Sequence, residues 1–125
     1  MNKRNQILYC DMCKNLVEIV CPGDGTLTCC GQAMTALNEN TTDASVEKHV
    51  PAVVDMGDHI EVTVGSVEHP MTEEHLINFI EVLTEKGVCR KYLKPGEKPV
   101  ATFPAKMADV LAVREYCNLH KLWKK

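Results

Sequence analysis

The sequence predicts a mainly β protein, in which a small metal-stabilised unit precedes an antiparallel β-sandwich. Three observations predict it. Five of the seven cysteines come before residue 31, and most of the remaining chain consists of short apolar segments separated by turn residues. Between the two parts, residues 38–43 are polar and lack periodicity, as expected of a linker. We therefore expect two domains, residues 1–37 and residues 38–125.

The first part is predicted to be a hairpin-like unit closed by a metal. An apolar run at 16–20 leads to a turn at 22–25, and Leu27 begins the return. Such a unit is too short to bury a core of its own, so it needs a staple. Four thiols are available, in the close pairs Cys10 and Cys13, and Cys29 and Cys30.

Four thiolates in a tetrahedron hold zinc or a single iron. A structural zinc knuckle is the alternative interpretation of such a cluster. Cys29 and Cys30 are directly adjacent, whereas the common zinc ribbon has two intervening residues, and this difference weakens the zinc interpretation.

The second part is predicted to consist mostly of strands. Residues 59–64 alternate between apolar and polar side chains, as a half-buried strand does. Residues 76–83 allow a buried strand, but their period does not exclude a helix. Further strands are predicted at 88–93, 101–103 and 110–116, with a turn at 94–97. Several short strands separated by turns favour a sandwich.

Histidines and one cysteine of the second part form another candidate metal site. Its members are His49, His69, His75, Cys117 and His120. The histidines in this set lie beside Pro, Glu or Asn in loop-like contexts, whereas His59 opens an apolar strand and is expected not to be a ligand. Imidazoles suit several transition metals, and one added thiolate favours a metal that changes oxidation state. Five protein ligands leave one position of an octahedron open to a small molecule.

Composition excludes several classes of function. Apolar residues make up 45% of the chain and charged residues 25%, as in a soluble protein, and the net charge of -3 argues against a nucleic-acid partner. No apolar run is long enough for a bilayer, and the N-terminus lacks a secretory signal, so we expect a cytoplasmic protein without membrane contact. Cys21 and Cys89 fall outside both ligand sets and are expected to be incidental or partly buried thiols.

With these residues placed, the sequence resembles desulfoferrodoxin, the two-iron form of superoxide reductase, over essentially its whole length. Beyond Cys10 and Cys13, the resemblance rests on five stretches and two single residues, namely residues 29–31, 47–51, 65–71, 93–96 and 114–120, with His75 and Trp123.

The resemblance implies a desulforedoxin-like (rubredoxin-type) domain with iron on the four cysteines. It further implies an immunoglobulin-like sandwich whose catalytic iron has four histidines in the plane and Cys117 as axial ligand. Proteins of this type are homodimers. They reduce superoxide to hydrogen peroxide without releasing dioxygen, in anaerobic or microaerophilic microbes, usually with electrons from rubredoxin.

Three residues near the second site need separate comment. Lys48 is the best candidate to attract the superoxide anion and organise a proton-donating water, and Glu47 is a candidate to cap the open position in the ferric state. Solvated surface charges are the alternative interpretation of both. Lys121 stands where the family often has glycine, and a positive φ there would cost about 1 kcal/mol.

Three other functions remain open at the level of sequence. A small iron electron carrier would have no need for five ligands and a vacancy. A zinc-binding interaction module would use the cysteine set alone, and metal content separates it from the redox protein. A superoxide dismutase would release dioxygen as well as peroxide.

Overall fold

The computed structural model describes residues 2–39, 49–65 and 71–125. It is mainly β, as predicted, and forms two compact units, Met1–Asn38 and Glu39–Lys125. Within the described residues, no helix is both long and apolar enough to cross a membrane.

The first unit consists of five very short strands. They are β1 (Ile7–Tyr9), β2 (Leu16–Glu18), β3 (Thr28–Cys29), β4 (Gln32–Ala33) and β5 (Thr35–Ala36). An antiparallel sheet has the order β2-β1-β5, and β3 and β4 form a separate hairpin. Its buried residues are few: 7–10 and Ile19. So small a core agrees with the expectation that this unit needs a further staple.

The second unit contains two antiparallel sheets. One has the order β10-β7-β6, from Val100–Phe103, Ile60–Val64 and Pro51–Asp55. The other has the order β12-β11-β8-β9, from Lys121–Lys124, Val110–Cys117, Ile77–Thr84 and Gly87–Tyr92. A short 3₁₀ helix at Met107–Asp109 precedes β11. The strands predicted near residues 60, 88, 101 and 110 are confirmed, and the ambiguous segment 76–83 is a strand.

A single hydrophobic core joins these two sheets. Ile60, Val62 and Val64 of β7 and Phe103 of β10 contribute from one sheet, and β8 and β11 contribute from the other. Side chains from both sheets therefore meet in one layer, which makes the unit a β-sandwich. Cys117 belongs to this core, so its thiol lies at the inner face of the sandwich.

A buried charge network joins three strands of the four-stranded sheet. Glu81 of β8 is fully buried and lies directly across from Arg90 of β9 and Arg114 of β11. Arg90 Nε donates to one carboxylate oxygen at 2.7 Å, and Arg114 Nε donates to the other at 2.8 Å. Arg114 also lies 3.7 Å from a carboxylate oxygen of Glu39. One carboxylate thus bridges two guanidinium groups across the sheet.

Candidate metal centres

The four N-terminal cysteines converge on one point and are called the cysteine cluster. The Sγ atoms of Cys10, Cys13, Cys29 and Cys30 all lie within 4.8 Å of one another. Cys13 Sγ is 3.5 Å from Cys29 Sγ, which is 4.0 Å from Cys30 Sγ. Thiolates in a tetrahedron with metal–sulfur bonds of about 2.3 Å lie about 3.8 Å apart. The sulfur positions therefore fit a four-coordinate ion.

Two tight turns bring these cysteines together. In the first, Lys14 N–H donates to the Cys10 carbonyl at 2.9 Å, and Cys13 N–H points at Cys10 Sγ at 3.5 Å. In the second, Cys30 and Gly31 join β3 to β4 with φ values of 53° and 77°. Two successive positive φ values are typical of a type I′ hairpin turn. This turn is what allows adjacent cysteines to serve one cluster, at the cost of a left-handed backbone at Cys30.

The thiols of the cysteine cluster differ in acidity because they have different hydrogen-bond partners. The backbone N–H of Cys13 is the main cause that lowers the pKa of Cys10 to about 6. Hydrogen bonds with Cys13 and then Cys10 raise the pKa of Cys30 to about 12, and the Cys13 thiol is the main cause that raises the pKa of Cys29. A cation bound to sulfur lowers such pKa values, so binding of a metal would release protons.

The second set of donors also converges and is called the histidine–cysteine cluster. It consists of His49, His75, Cys117 and His120, whose ligand atoms all lie within 4.8 Å of one another. The His49 and His120 rings are 4.4 Å apart at 67°, and the His75 and His120 rings are 5.1 Å apart at 63°. Nitrogen ligands on opposite sides of one ion, with bonds of about 2.1 Å, lie about 4.2 Å apart. These donors therefore fit one transition-metal ion.

Three residues that the sequence singled out lie outside the described part of the chain: His69, Lys48 and Glu47. The other candidates can be located. His59 belongs to neither cluster, and its Nδ1 lies 2.6 Å from a carboxylate oxygen of Asp58. Cys21 is exposed and Cys89 is half-buried, and both lie outside the two clusters.

The hairpin between β11 and β12 presents two of the donors. Cys117 ends β11 beside a register shift against β8, and His120 follows in the tight turn. Cys117 Sγ lies 3.8 Å from His120 Nδ1. Lys121 then begins β12 with a φ of 69°. This is the left-handed conformation that was expected if the position favours the glycine often found there in the family. The turn therefore accepts a strained lysine without separating Cys117 from His120.

Asn118 ties this turn to the loop that carries His75. Its side-chain oxygen accepts from Leu76 N–H at 2.9 Å, and its side-chain nitrogen donates to the Glu73 carbonyl at 3.1 Å. Its own backbone N–H donates to the Leu76 carbonyl at 3.1 Å. These bonds bracket His75 on both sides, so Asn118 fixes the distance between His75 and Cys117.

Asn118→Ala is expected to release a metal bound in the histidine–cysteine cluster about tenfold faster, since metal sites commonly lose 10–100-fold in affinity when an outer-shell partner is removed. Transfer of the metal to a chelator measures this rate. Asn78→Ala on β8 is the matched control, because Asn78 is half-buried and belongs to neither cluster. Equal rates for wild type and Asn118→Ala would show that the backbone bond alone holds the loop.

Burial divides the histidine–cysteine cluster into an inner and an outer side. His49 and Cys117 are fully buried, whereas His75 and His120 are half-buried. Burial is the main cause that raises the pKa of the Cys117 thiol, against which the backbone N–H groups of His120 and Leu119 act. Those N–H groups aim at the sulfur and stabilise its thiolate. The Cys117 sulfur therefore lies on the protected side of the cluster, and His75 and His120 lie on its more exposed side.

Sequence reasoning gave no role to Glu115 and used Trp123 only as part of a motif. Glu115 is fully buried on β11 and, two residues from Cys117, shares its face of the strand. Burial raises the pKa of its carboxyl well above the usual range, and neither oxygen has a hydrogen-bond partner within the described residues. Trp123 is also fully buried and stacks on His49. The period of two along β11 could have indicated Glu115.

Comparison with known proteins gives a consistent family. The family model described as "Desulfoferrodoxin, N-terminal domain" matches residues 2–37, and the model described as "Desulfoferrodoxin" matches residues 41–125. A desulfoferrodoxin of Syntrophotalea carbinolica is 49% identical over 98% of this chain and 97% of its own length. A desulfoferrodoxin homolog of Methanothermobacter thermautotrophicus is 50% identical over 98% and 99%.

Solved structures extend the comparison to three dimensions. The superoxide reductase from Treponema pallidum is 33% identical, with a TM-score of 0.76 over 98% of this chain and 99% of that one. A superoxide reductase (neelaredoxin) from Archaeoglobus fulgidus is 29% identical, with a TM-score of 0.55. That match covers 70% of this chain and 94% of the other.

Proposed function

Because this chain belongs to the desulfoferrodoxin family, we propose that it is a superoxide reductase, which reduces superoxide by one electron to hydrogen peroxide without releasing dioxygen. The observation that carries the proposal is the convergence of three imidazoles and one buried thiol in the histidine–cysteine cluster. His69 is proposed to complete the set as a fourth imidazole.

This donor set suits iron better than zinc. Zinc in proteins takes four ligands and has no redox chemistry, whereas five donors of mixed imidazole and thiolate type suit a metal that changes oxidation state. Iron bound there would supply one electron and an open coordination position. The net reaction consumes one electron from an external reductant and two protons for each superoxide, and it yields hydrogen peroxide.

The protein contributes positioning and charge. Cys117 supplies a negative, polarisable donor from the inner side of the site, where burial excludes water. His75 and His120 form the more exposed side of the cluster, from which a small anion is proposed to approach. Lys48 is proposed to attract that anion and to organise a water that donates a proton, and Glu47 is proposed to cap the open position in the oxidised state.

Lys48→Ala is expected to slow the capture of superoxide by about tenfold at low ionic strength, because removing a cation near the site weakens the electrostatic steering of an anion. Pulse radiolysis with increasing salt measures the capture rate, and the difference from wild type should shrink as salt screens the charge. Lys86→Ala, in the exposed turn between β8 and β9, is the matched control. An unchanged rate in Lys48→Ala at low ionic strength would contradict the steering role.

We also propose iron in the cysteine cluster, with zinc as the alternative occupant. Four thiolates close the coordination shell, so this site would transfer electrons or staple the small unit and would not bind superoxide. A rubredoxin-type electron donor, a homodimeric assembly and a cytoplasmic location are proposed from the family resemblance alone.

Metal content and the visible spectrum test the proposal. Protein purified without oxygen is expected to contain two irons per chain and to develop a thiolate-to-ferric band from each cluster on oxidation. Zinc in the cysteine cluster with iron in the histidine–cysteine cluster would retain the enzyme and make the first unit a structural staple. The absence of iron from the histidine–cysteine cluster would contradict the proposed function.

A further inference from the structure

We propose that Trp123 is a positioning residue that joins two donors of the histidine–cysteine cluster and so holds the site in shape for its metal. The proposal rests on the proposed function, since it concerns the same site. It concerns a side chain that offers no ligand atom and acts through His49 and His120.

Two contacts of one rigid side chain carry the proposal. The indole ring stacks on the His49 imidazole, with centroids 4.8 Å apart and planes at 17°. The indole Nε1–H donates to the backbone carbonyl of His120 at 3.0 Å. Trp123 is fully buried, and an indole has only two side-chain torsions, so it can hold both groups at a small entropic cost.

The topology explains why such a contact is needed. Cys117 and His120 lie in the β11–β12 hairpin, and His75 precedes β8, so these three donors belong to the four-stranded sheet. His49 precedes β6, which belongs to the three-stranded sheet. A metal at this site therefore needs the two sheets in a fixed relation. Trp123, on β12 of one sheet, contacts the only described donor that comes from the other.

The stack also fixes the plane of the His49 ring. An imidazole binds a metal along a nitrogen lone pair that lies in the ring plane, so rotation of the ring moves the lone pair off the ion. The indole face restricts that rotation, and the hydrogen bond to the His120 carbonyl restricts the turn that carries the neighbouring donor. Such preorganisation reduces the ordering cost that metal binding would otherwise pay.

Release of iron from the full-length, iron-loaded protein tests the proposal. The oxidised protein is mixed with a chelator, and the bands of the two clusters are followed separately, so that the cysteine cluster serves as an internal reference. Trp123→Leu is expected to release iron from the histidine–cysteine cluster about 10–100-fold faster than wild type, as is typical when an outer-shell partner is lost. Release from the cysteine cluster should not change.

Two further variants separate positioning from general destabilisation. Trp123→Phe keeps an aromatic face for His49 and loses only the Nε1–H bond, so it is expected to release iron about fivefold faster, the effect of one ordinary hydrogen bond. If Trp123→Leu does not fold, the rate of iron release from Trp123→Phe tests the positioning role by itself. Phe103→Leu removes an equally buried core ring that belongs to neither cluster, and it should release iron at the wild-type rate.

Intrinsic fluorescence supplies a second readout, because Trp123 is the only tryptophan in the chain. Loading the histidine–cysteine cluster with iron should quench this fluorescence strongly, since the indole stacks on a donor ring.

Equal release rates in wild type and both Trp123 variants would overturn the positioning role, as would equal acceleration in Phe103→Leu. Iron that is retained by wild type and lost by Trp123→Leu, without superoxide consumption, would instead support the positioning role and contradict the proposed function.

Discussion

Replacement of Cys117 by serine is expected to lower the rate of superoxide reduction by about 100-fold or more, since even outer-shell partners of a metal contribute 10–100-fold. Cys117 is the only sulfur in the described part of the histidine–cysteine cluster, and it is fully buried. A serine hydroxyl does not ionise near neutral pH, so the site would lose the negative charge of its thiolate donor. Stopped-flow or pulse-radiolysis kinetics on iron-loaded protein measures the rate.

The spectrum gives this prediction a second readout. Cys117→Ser should lose the thiolate-to-ferric band of the histidine–cysteine cluster and keep the band of the cysteine cluster. Cys89→Ser is the matched control, because Cys89 is a half-buried thiol outside both clusters and should leave rate and spectrum unchanged. A Cys117→Ser protein that retains both bands would show that Cys117 is not a ligand.

Replacement of Glu81 by alanine is expected to reduce the free energy of unfolding of the second unit by about 3–5 kcal/mol, the usual cost of removing one partner from a buried ion pair. Glu81 is fully buried and accepts hydrogen bonds from Arg90 and Arg114. Without its carboxylate, the buried Arg114 would lose its shortest charged contact, inside a sheet that excludes water. Denaturant unfolding followed by circular dichroism measures the change.

The matched control is Glu85, which lies in the turn that follows β8. Glu85→Ala removes a carboxylate of the same strand region where it is exposed, and surface changes of this kind stay within about 0.5 kcal/mol. If Glu81→Ala loses less than about 1 kcal/mol, the guanidinium groups find water or other acceptors, and the network is less important than its burial indicates.

The half-buried strand β7 could be predicted from the sequence, whereas the buried strand β8 could not be distinguished from a helix. Ile60, Val62 and Val64 alternate with polar residues along β7, and this period of two predicted the strand. In β8, Ile80 and Val82 belong to the core, and Phe79 and Glu81, which alternate with them, are also buried. With both faces buried the alternation disappears, so only the structure decides between strand and helix.

The candidate sites divide in a similar way. The cysteine cluster was predictable because each of its pairs, Cys-x-x-Cys and two adjacent cysteines, lies within a few residues of sequence. Such close spacing of ligands can be recognised without knowing the fold. The contact between Trp123 and His49 joins two sheets and depends on their packing, which no local pattern encodes. Glu115 was missed for a related reason, since a glutamate in a strand is usually exposed.

The yield of peroxide from superoxide tests the central claim most directly. Iron-loaded protein with a chemical reductant is supplied with superoxide in the absence of other oxygen sources, and hydrogen peroxide and dioxygen are measured together. A reductase yields one hydrogen peroxide for each superoxide consumed and releases no dioxygen, and this is the result we predict. Half that yield of peroxide, with dioxygen released in an equal amount, would show dismutation and contradict the assignment.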